Sequence, residues 1–474
     1  MEKELFPSKY FYPALFFIQL FFLLLALNTD GIGQGGDSVF HFLMAKYSWI
    51  HPHLFFNHWG KPFFTIPASI FAQFGMNWMK VFNTLHTFIG ILFGYKLALH
   101  FQIKNAGLIL FFVLLAPLSI SVNFSGLTEP MFASVLLSSL YFIAVSKENK
   151  GAILVSFLPF VRSEGLIILV ALAIFFLLKK NWKAMFLLVS GHLIMSLSGM
   201  WIHQDILWVF TKIPYAHLNP VYGKGTWDHF LIQMNFMIGP VLYGLLILGL
   251  IATLIQYKLK VLIEVFIQDK LFLIYGIFIA FFIAHTSFWA LGIFGSMGLT
   301  RVFAGVMPLV MIIAIEGLNF ILDSIAKRNQ KLSYWTGIVL LLFCLIFPFL
   351  NNPASYELKR DLYLSEDEKF LKDSVCQYIN EHEKDRLIVA SNACVPFFLN
   401  RDPFDSSAYQ TAKNFESLKS QNKKILLVWD PWFSAVEDDI SLEKINQDSS
   451  MNMLGIYTGI SDKKTIEYRL YKNF

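Results

Sequence analysis

Over the first 350 residues, long apolar runs alternate with short polar segments. This is the pattern of helices crossing about 30 Å of hydrocarbon, each needing roughly 20 apolar residues. It predicts spans near 11–28, 78–100, 105–122, 130–146, 184–202, 231–255, 271–290, 302–322 and 334–350. The run 152–179 differs, because Pro159, Arg162, Glu164 and Gly165 interrupt its first third. It predicts a broken hairpin whose arms start and finish on one side, a geometry tolerated where the backbone is buried in protein or lines a wet cavity. Counting both arms gives about 11 membrane segments.

Beyond residue 350 the pattern changes. Residues 351–474 hold 36 of the 71 Asp, Glu, Lys and Arg, so half the charge lies in the last quarter of the chain. Ser365-Glu366-Asp367-Glu368 reads as a capping box opening a helix to about His382. Segments 386–390, 425–429, 453–458 and 465–471 have strand composition, and Asp430-Pro431-Trp432 reads as a turn. The expected fold class is a polytopic α-helical membrane protein with a small C-terminal α/β domain. Its parts are a membrane domain over 1–350, with a first outer loop at 28–77, and a mixed α/β domain over 351–474. Composition agrees: 56% hydrophobic residues, 15% charged and a mean hydropathy of +0.55 do not suit a soluble chain.

The Lys and Arg bias of the short loops predicts orientation. With a cytoplasmic N-terminus, inner segments collect 15 basic residues against 7 on the outer side. That places the C-terminal domain outside the cytoplasm. No small-residue cleavage site follows Leu27, so the first span is expected to persist as an anchor. Cys376 and Cys394 fall in the outer domain, where an oxidising compartment permits a disulfide without requiring one, and Cys344 falls in the last span. The net charge of +5 is accounted for by inward basic loops, and no basic-aromatic tract points to nucleic acid.

Asp30, Asp37, Glu129, Glu164, Asp205 and Asp228 map to the outer face or to the hairpin break that points at it. Ionisable groups at membrane depth are costly and predict a polar site there. The first outer loop opens with Gly31, Gly33, Gly35 and Gly36, and Asp37 then stands where an amphipathic helix begins. Asp37 is expected to cap that helix, with His41 one turn on and on the same face. The cluster Asn57-His58-Trp59-Gly60-Lys61-Pro62 follows, then a second amphipathic stretch to about Phe74.

An outer loop after the first span, with an acid, a short amphipathic helix, a Lys-Pro step and a second short helix, resembles the GT-C glycosyltransferases. These include the protein O-mannosyltransferases and the bacterial aminoarabinose transferases acting on lipid A. Thr128-Glu129-Pro130 is similar to their outer Glu-Pro turn, and Arg162-Ser163-Glu164-Gly165 to the break in their short hairpin helices. Ser296–Arg301 followed by Pro308 is similar to their late outer turn carrying an arginine. Ser38 stands where a second acid is usual, and Phe63 replaces a second proline. The resemblance implies a membrane enzyme that moves a sugar, mannose or another hexose or pentose, from a polyprenyl-phosphate donor to a lipid, glycan or protein acceptor. It implies the outer face of the bacterial inner membrane as the location. Asp37 is then the catalytic base, and Lys61, Arg301 and Arg162 hold the donor phosphate. His41, His58, Glu129, Glu164 and Tyr222 are supporting candidates.

Bland readings stand beside these. Lys61 and Arg301 are also placed to snorkel, Arg162 and Glu164 to pair with each other, and Glu129 to start a helix. His41, His58, His203, His217, His229 and His285 fall on the outer half without metal-ligand spacing. No metal site is assigned and no cofactor is named, although some oligosaccharyltransferases of this superfamily use a divalent metal, which leaves that question open. The loop 203–230, with Trp208, Tyr215, Asn219, Tyr222 and Trp227, joins interfacial anchors to rings able to stack on a sugar. A transporter or flippase of a lipid-linked sugar is the alternative function.

Overall fold

The computed structural model describes residues 4–33, 35–214, 222–257, 268–350, 352, 357–421, 423–461 and 464–473. Tyr215, His217 and Asn219 lie outside the described residues.

The apolar runs are helices. In chain order they are α1 (Phe11–Asn28), α2 (Gly36–Tyr47), α3 (Pro62–Ala72), α4 (Met76–His100), α5 (Ile109–Leu115), α6 (Pro117–Asn123), α7 (Glu129–Ala144), α8 (Glu148–Val155) and α9 (Gly165–Leu178). There follow α10 (Trp182–His203), α11 (His229–Ile238), α12 (Pro240–Tyr257), α13 (Leu271–Leu291), α14 (Thr300–Ala326) and α15 (Gln330–Phe349).

Two expected spans are broken. The run 105–122 bends by 73° between α5 and α6, where Pro117 cannot donate into the preceding turn. The run 231–255 divides at Gly239 into α11 and α12. Six described helices are long and apolar enough to cross a membrane, or seven if the bent pair is one span. The expected eleven is not reached on length and composition: α4 carries Lys80, Asn83, His86 and Lys96, while α7 and α9 are short at 16 and 14 residues. The hairpin break is present, with a single 3-10 turn, Leu158–Phe160, between α8 and α9.

α14 is the axis of the bundle. Inside the protein, 78% of its apolar window is buried, against 11% for the first helix. α12 lies directly on it: a Cβ on Gly317 would stand 1.9 Å from the Leu245 carbonyl oxygen, and one on Gly249 2.1 Å from that of Ile313. Where lipid tails are as apolar as side chains, such close backbone packing holds helices together.

The C-terminal part carries the expected capping box, with Ser365 Oγ accepting from Glu368 N and Glu368 Oε2 from Ser365 N at 2.8 Å. The helix runs on to His382. Five strands, β1 (Leu387–Val389), β2 (Tyr409–Gln410), β3 (Ile425–Trp429), β4 (Met451–Ser461) and β5 (Lys464–Asn473), form one sheet ordered β2-β1-β3-β5-β4. β1 is parallel to β2 and β3; β5 is antiparallel to β3 and β4, with Leu427 opposite Tyr471. β3 is buried at every position, which explains its unbroken apolar run. Cys376 and Cys394 are separate buried thiols.

This C-terminal part lies on the first loop. Gly31 N donates to Leu362 O at 2.9 Å, and Asp30 Oδ1 accepts from Leu364 N at 3.2 Å, so Asp30 is a tether. His51 Nε2 lies 2.8 Å from Asp402 Oδ2, Lys46 Nζ donates to Asn400, and Phe42 packs edge-on to Phe397. α2 is thereby held between the bundle and the C-terminal sheet.

Candidate active site

The start of α2 is set by backbone that only glycine adopts easily. Gly33, Gly35 and Gly36 have φ of 68°, 60° and 37°. Ser38 Oγ donates to Ile32 O at 2.6 Å and accepts from Gly126 N at 2.7 Å, locking this start against the turn before α7. Gly35 is the N-cap residue, and no side chain caps the helix. The expected capping role of Asp37 is therefore corrected: its carboxylate turns away from the helix and pairs with Arg301.

That pair begins a run of alternating charge. Arg301 Nε lies 3.5 Å from Glu129 Oε1, a contact that is not a hydrogen bond and leaves a donor unused. Arg162 Nη1 lies 2.7 Å from the same Glu129 oxygen, and its Nη2 2.7 Å from Glu164 Oε1. Arg162 also donates to Thr128 Oγ1 at 3.0 Å. Five ionisable groups from four separate chain segments thus form one continuous array. Such charges are stable in a dry interior only when mutually paired. The Glu129 side chain is 0% exposed and that of Asp37 43%, so the array runs from a closed end to an open one. Asp37 is the most exposed acid of the array.

Electrostatics follow this geometry. Burial pushes the Asp37 carboxyl up, but Arg301, aided by Arg162, outweighs it and holds the group below the ordinary carboxylate range. His41 stacks on Trp59 with ring centroids 4.6 Å apart. Burial, and then the cations Arg162, Arg301 and Lys61 against the opposing charge of Asp37, lower its imidazole to about 3. It is a neutral ring.

Lys61 adopts φ 66° directly before Pro62, which begins α3. A left-handed lysine is uncommon, and strain of this kind collects at functional sites. Its buried ammonium donates to Ser163 Oγ at 2.7 Å, beside Arg162 and Glu164. Burial, with Arg162 adding to it and Glu164 opposing, lowers Lys61 to about 8.

Seven of the nine residues singled out from sequence, Asp37, His41, Lys61, Glu129, Arg162, Glu164 and Arg301, therefore converge. His58 sits beside them but faces away: its Nε2 contacts Val209 O at 3.0 Å, and its ring lies against Trp208, making it a brace for the loop. Tyr222 heads the segment 222–228, which closes on the end of α13 through Gly225 N and Trp289 O. Among the described residues no three His, Cys, Asp or Glu side chains are grouped to hold a metal ion.

Sequence reasoning passed over Ser163, although it lies inside Arg162-Ser163-Glu164-Gly165. It also passed over Glu437, whose carboxyl is pushed up by burial and by the nearby charge of Asp37, against a hydrogen bond from Trp432. Glu437 lies just beyond β3, so the C-terminal part contributes an acid to the rim.

Similarity to solved structures spans nearly the whole chain. ArnT from Cupriavidus metallidurans bound to undecaprenyl phosphate superposes with a TM-score of 0.60 at 11% identity, over 98% of both chains. The apo state of that protein gives 0.61 at 12% identity, again over 98% of both. The chain has the GT-C fold. The oligosaccharyltransferase of Archaeoglobus fulgidus, tethered to an acceptor peptide, shares the fold with a TM-score of 0.53 at 13% identity, over 97% of this chain and 74% of that one. No family profile matches the sequence, and no curated protein matches it. The GT-C fold and the apolar helices make the chain an integral membrane protein.

Proposed function

We propose that the chain is an inverting GT-C glycosyltransferase. It takes a sugar from a polyprenyl-phosphate donor and passes it to a hydroxyl-bearing acceptor, with Asp37 as general base. The observation that carries this reading is the Asp37–Arg301 pair at the open end of the array, with Lys61 and Arg162 in the same cluster, within a fold whose solved example binds undecaprenyl phosphate.

In the step, the acceptor oxygen attacks the anomeric carbon while Asp37 takes its proton. The bond from that carbon to the phosphate oxygen breaks, and the leaving polyprenyl phosphate gains one negative charge. Lys61, Arg301 and Arg162 stabilise that charge where it develops, and the planar guanidinium suits paired phosphate oxygens. Without donor, Arg301 weakens Asp37 as a base. A phosphate that draws Arg301 away removes this cation and adds an anion nearby, and both changes raise the Asp37 pKa. Donor binding thereby arms the base.

The site opens on the extracytoplasmic side in this reading, with the N-terminus cytoplasmic, in a bacterial inner membrane. The chain divides into a catalytic membrane domain, 1–350, and an outer domain, 351–474, that borders the acceptor side. His41 is a neutral wall of the site, while Glu129 and Glu164 hold the two arginines. The test supplies the purified protein in lipid with labelled polyprenyl-phosphate sugars and a membrane extract as acceptor. Asp37→Asn is expected to abolish label transfer with unchanged thermal stability. Full transfer by that variant would overturn the assignment. Movement of the lipid-linked sugar across the bilayer without transfer would favour the flippase alternative.

A further inference from the structure

At the end of α14 remote from Arg301 lies a cavity of about 620 Å³, between the segment before α1, the α4–α5 turn and the start of α15. α14 spans 27 residues, about 40 Å at 1.5 Å per residue, so this cavity shares nothing with the Asp37 cluster. Its volume lies within the roughly 300–1,000 Å³ of small-molecule sites. At about 30 Å³ per molecule it would otherwise hold some 20 waters.

The lining separates into three parts. The floor is a closed chain of amides: Asn105 Oδ1 accepts from Leu5 N at 2.9 Å, Asn105 Nδ2 donates to Asn319 Oδ1 at 2.8 Å, and Asn319 Nδ2 to Lys104 O at 2.7 Å. These amides are spent on one another and fix the shape. The rim carries both signs of charge, including Glu4, whose carboxylate accepts from Ser8 N at 2.9 Å. Lys104 and Asp323 pair at 2.9 Å with side chains 51% and 47% exposed. Lys331 and Gln330 are exposed beside them and make no hydrogen bond or ion pair among the described residues. The third part is apolar: Lys331 stands one turn before Trp335, which with Leu332, Val339, Leu342 and Ile346 forms an exposed stripe at helical spacing along α15. A polar recess with two cations and two carboxylates at its mouth thus adjoins a lipid-facing stripe through Lys331.

We propose that this recess is a headgroup site for an aminophospholipid of the leaflet opposite the Asp37 site. Lys331 and Lys104 take the phosphodiester, Asp323 takes the primary ammonium, and the acyl chains lie along the exposed stripe of α15. An amphiphile with one anionic and one N–H-bearing cationic group matches both signs of charge at the rim. A choline headgroup cannot donate a hydrogen bond to Asp323, and a glycerol headgroup brings no cation to it.

The full-length protein, delipidated in detergent and mixed with vesicles of phosphatidylethanolamine, phosphatidylcholine or phosphatidylglycerol, is read by native mass spectrometry for retained lipid. Phosphatidylethanolamine is expected to be retained at least fivefold over the other two. Lys331→Ala and Asp323→Asn are each expected to remove most of that preference, while Lys359→Ala, on the C-terminal part, leaves it intact. Melting temperature confirms that all three variants fold. Equal retention of the three lipids, or an unchanged preference in both rim variants, overturns the proposal. Soluble glycerophosphoethanolamine is the second arm: failure to compete at millimolar concentration supports a lipid occupant, and saturation at micromolar concentration overturns it in favour of a free phosphodiester.

Discussion

At one end α14 presents Arg301 to an array in which Asp37, Glu129, Arg162 and Glu164 are linked without a gap. At the other it presents Asp323 to Lys104 in a pair about half exposed, above a floor of neutral amides. Both ends hold charge, but the cost differs. An exposed pair is worth between about 0 and 1 kcal/mol, whereas removing one partner of a buried pair costs about 3–5 kcal/mol. A bundle has no structural need to gather three carboxylates and three cations at one place, with a lysine in a left-handed conformation among them. Charge is dense and strained at one end of the helix and sparse and relaxed at the other, and it is the first end that the proposed function makes the reaction site.

That contrast can be broken experimentally. The largest effect is expected from Asp37→Asn, which should lower sugar transfer by about 10²–10⁴-fold, measured as initial rates with labelled donor. Glu129→Ala should come next, destabilising the protein by about 3–5 kcal/mol because two arginines lose their common partner; chemical denaturation in detergent reads this, and a change below 1 kcal/mol would mean the array is not a structural unit. Lys61→Ala should weaken donor binding by about 10–100-fold, the worth of a charged hydrogen bond of roughly 1.5–3 kcal/mol. A smaller effect lies in pH. Lys61 binds phosphate while protonated, so donor affinity should hold below about 8 and decline as pH rises through it. Lys61→Arg should move that decline to higher pH. Asp37, held low by Arg301, places the acid limb of the free enzyme below the ordinary carboxylate range. At the other end of α14, Asp323→Asn should change stability by less than about 1 kcal/mol.

How much of this was legible in the chain depends on the range of the interactions. The apolar runs, the Ser365 capping box and the buried strand β3 are local patterns, and each appears where the pattern puts it. The membership of the array could be approached because acids and arginines at membrane depth are few. Its connectivity could not: Asp37 and Arg301 meet across 264 positions, and nothing near either residue announces the other. The same applies to Asp37 as a cap, since helix-start chemistry is a local expectation and the pull of Arg301 a tertiary one. The left-handed turn at Lys61 was equally hidden, since lysine has no preference for it; the break at Gly239-Pro240 was a local signal that the apolar run around it masked.

The tether between Asp30 and Leu364 joins positions 334 residues apart. At the roughly 5–20 residues per second of synthesis, the first loop emerges tens of seconds before the strand of chain that clasps it. The helix bearing Asp37 therefore spends that interval without its second support, and is clasped only after the segment around Leu364 has emerged. A chain stopped short of residue 357 would be left with an unclasped α2, so that emergence of the segment around Leu362 and Leu364 itself becomes the event that completes its support.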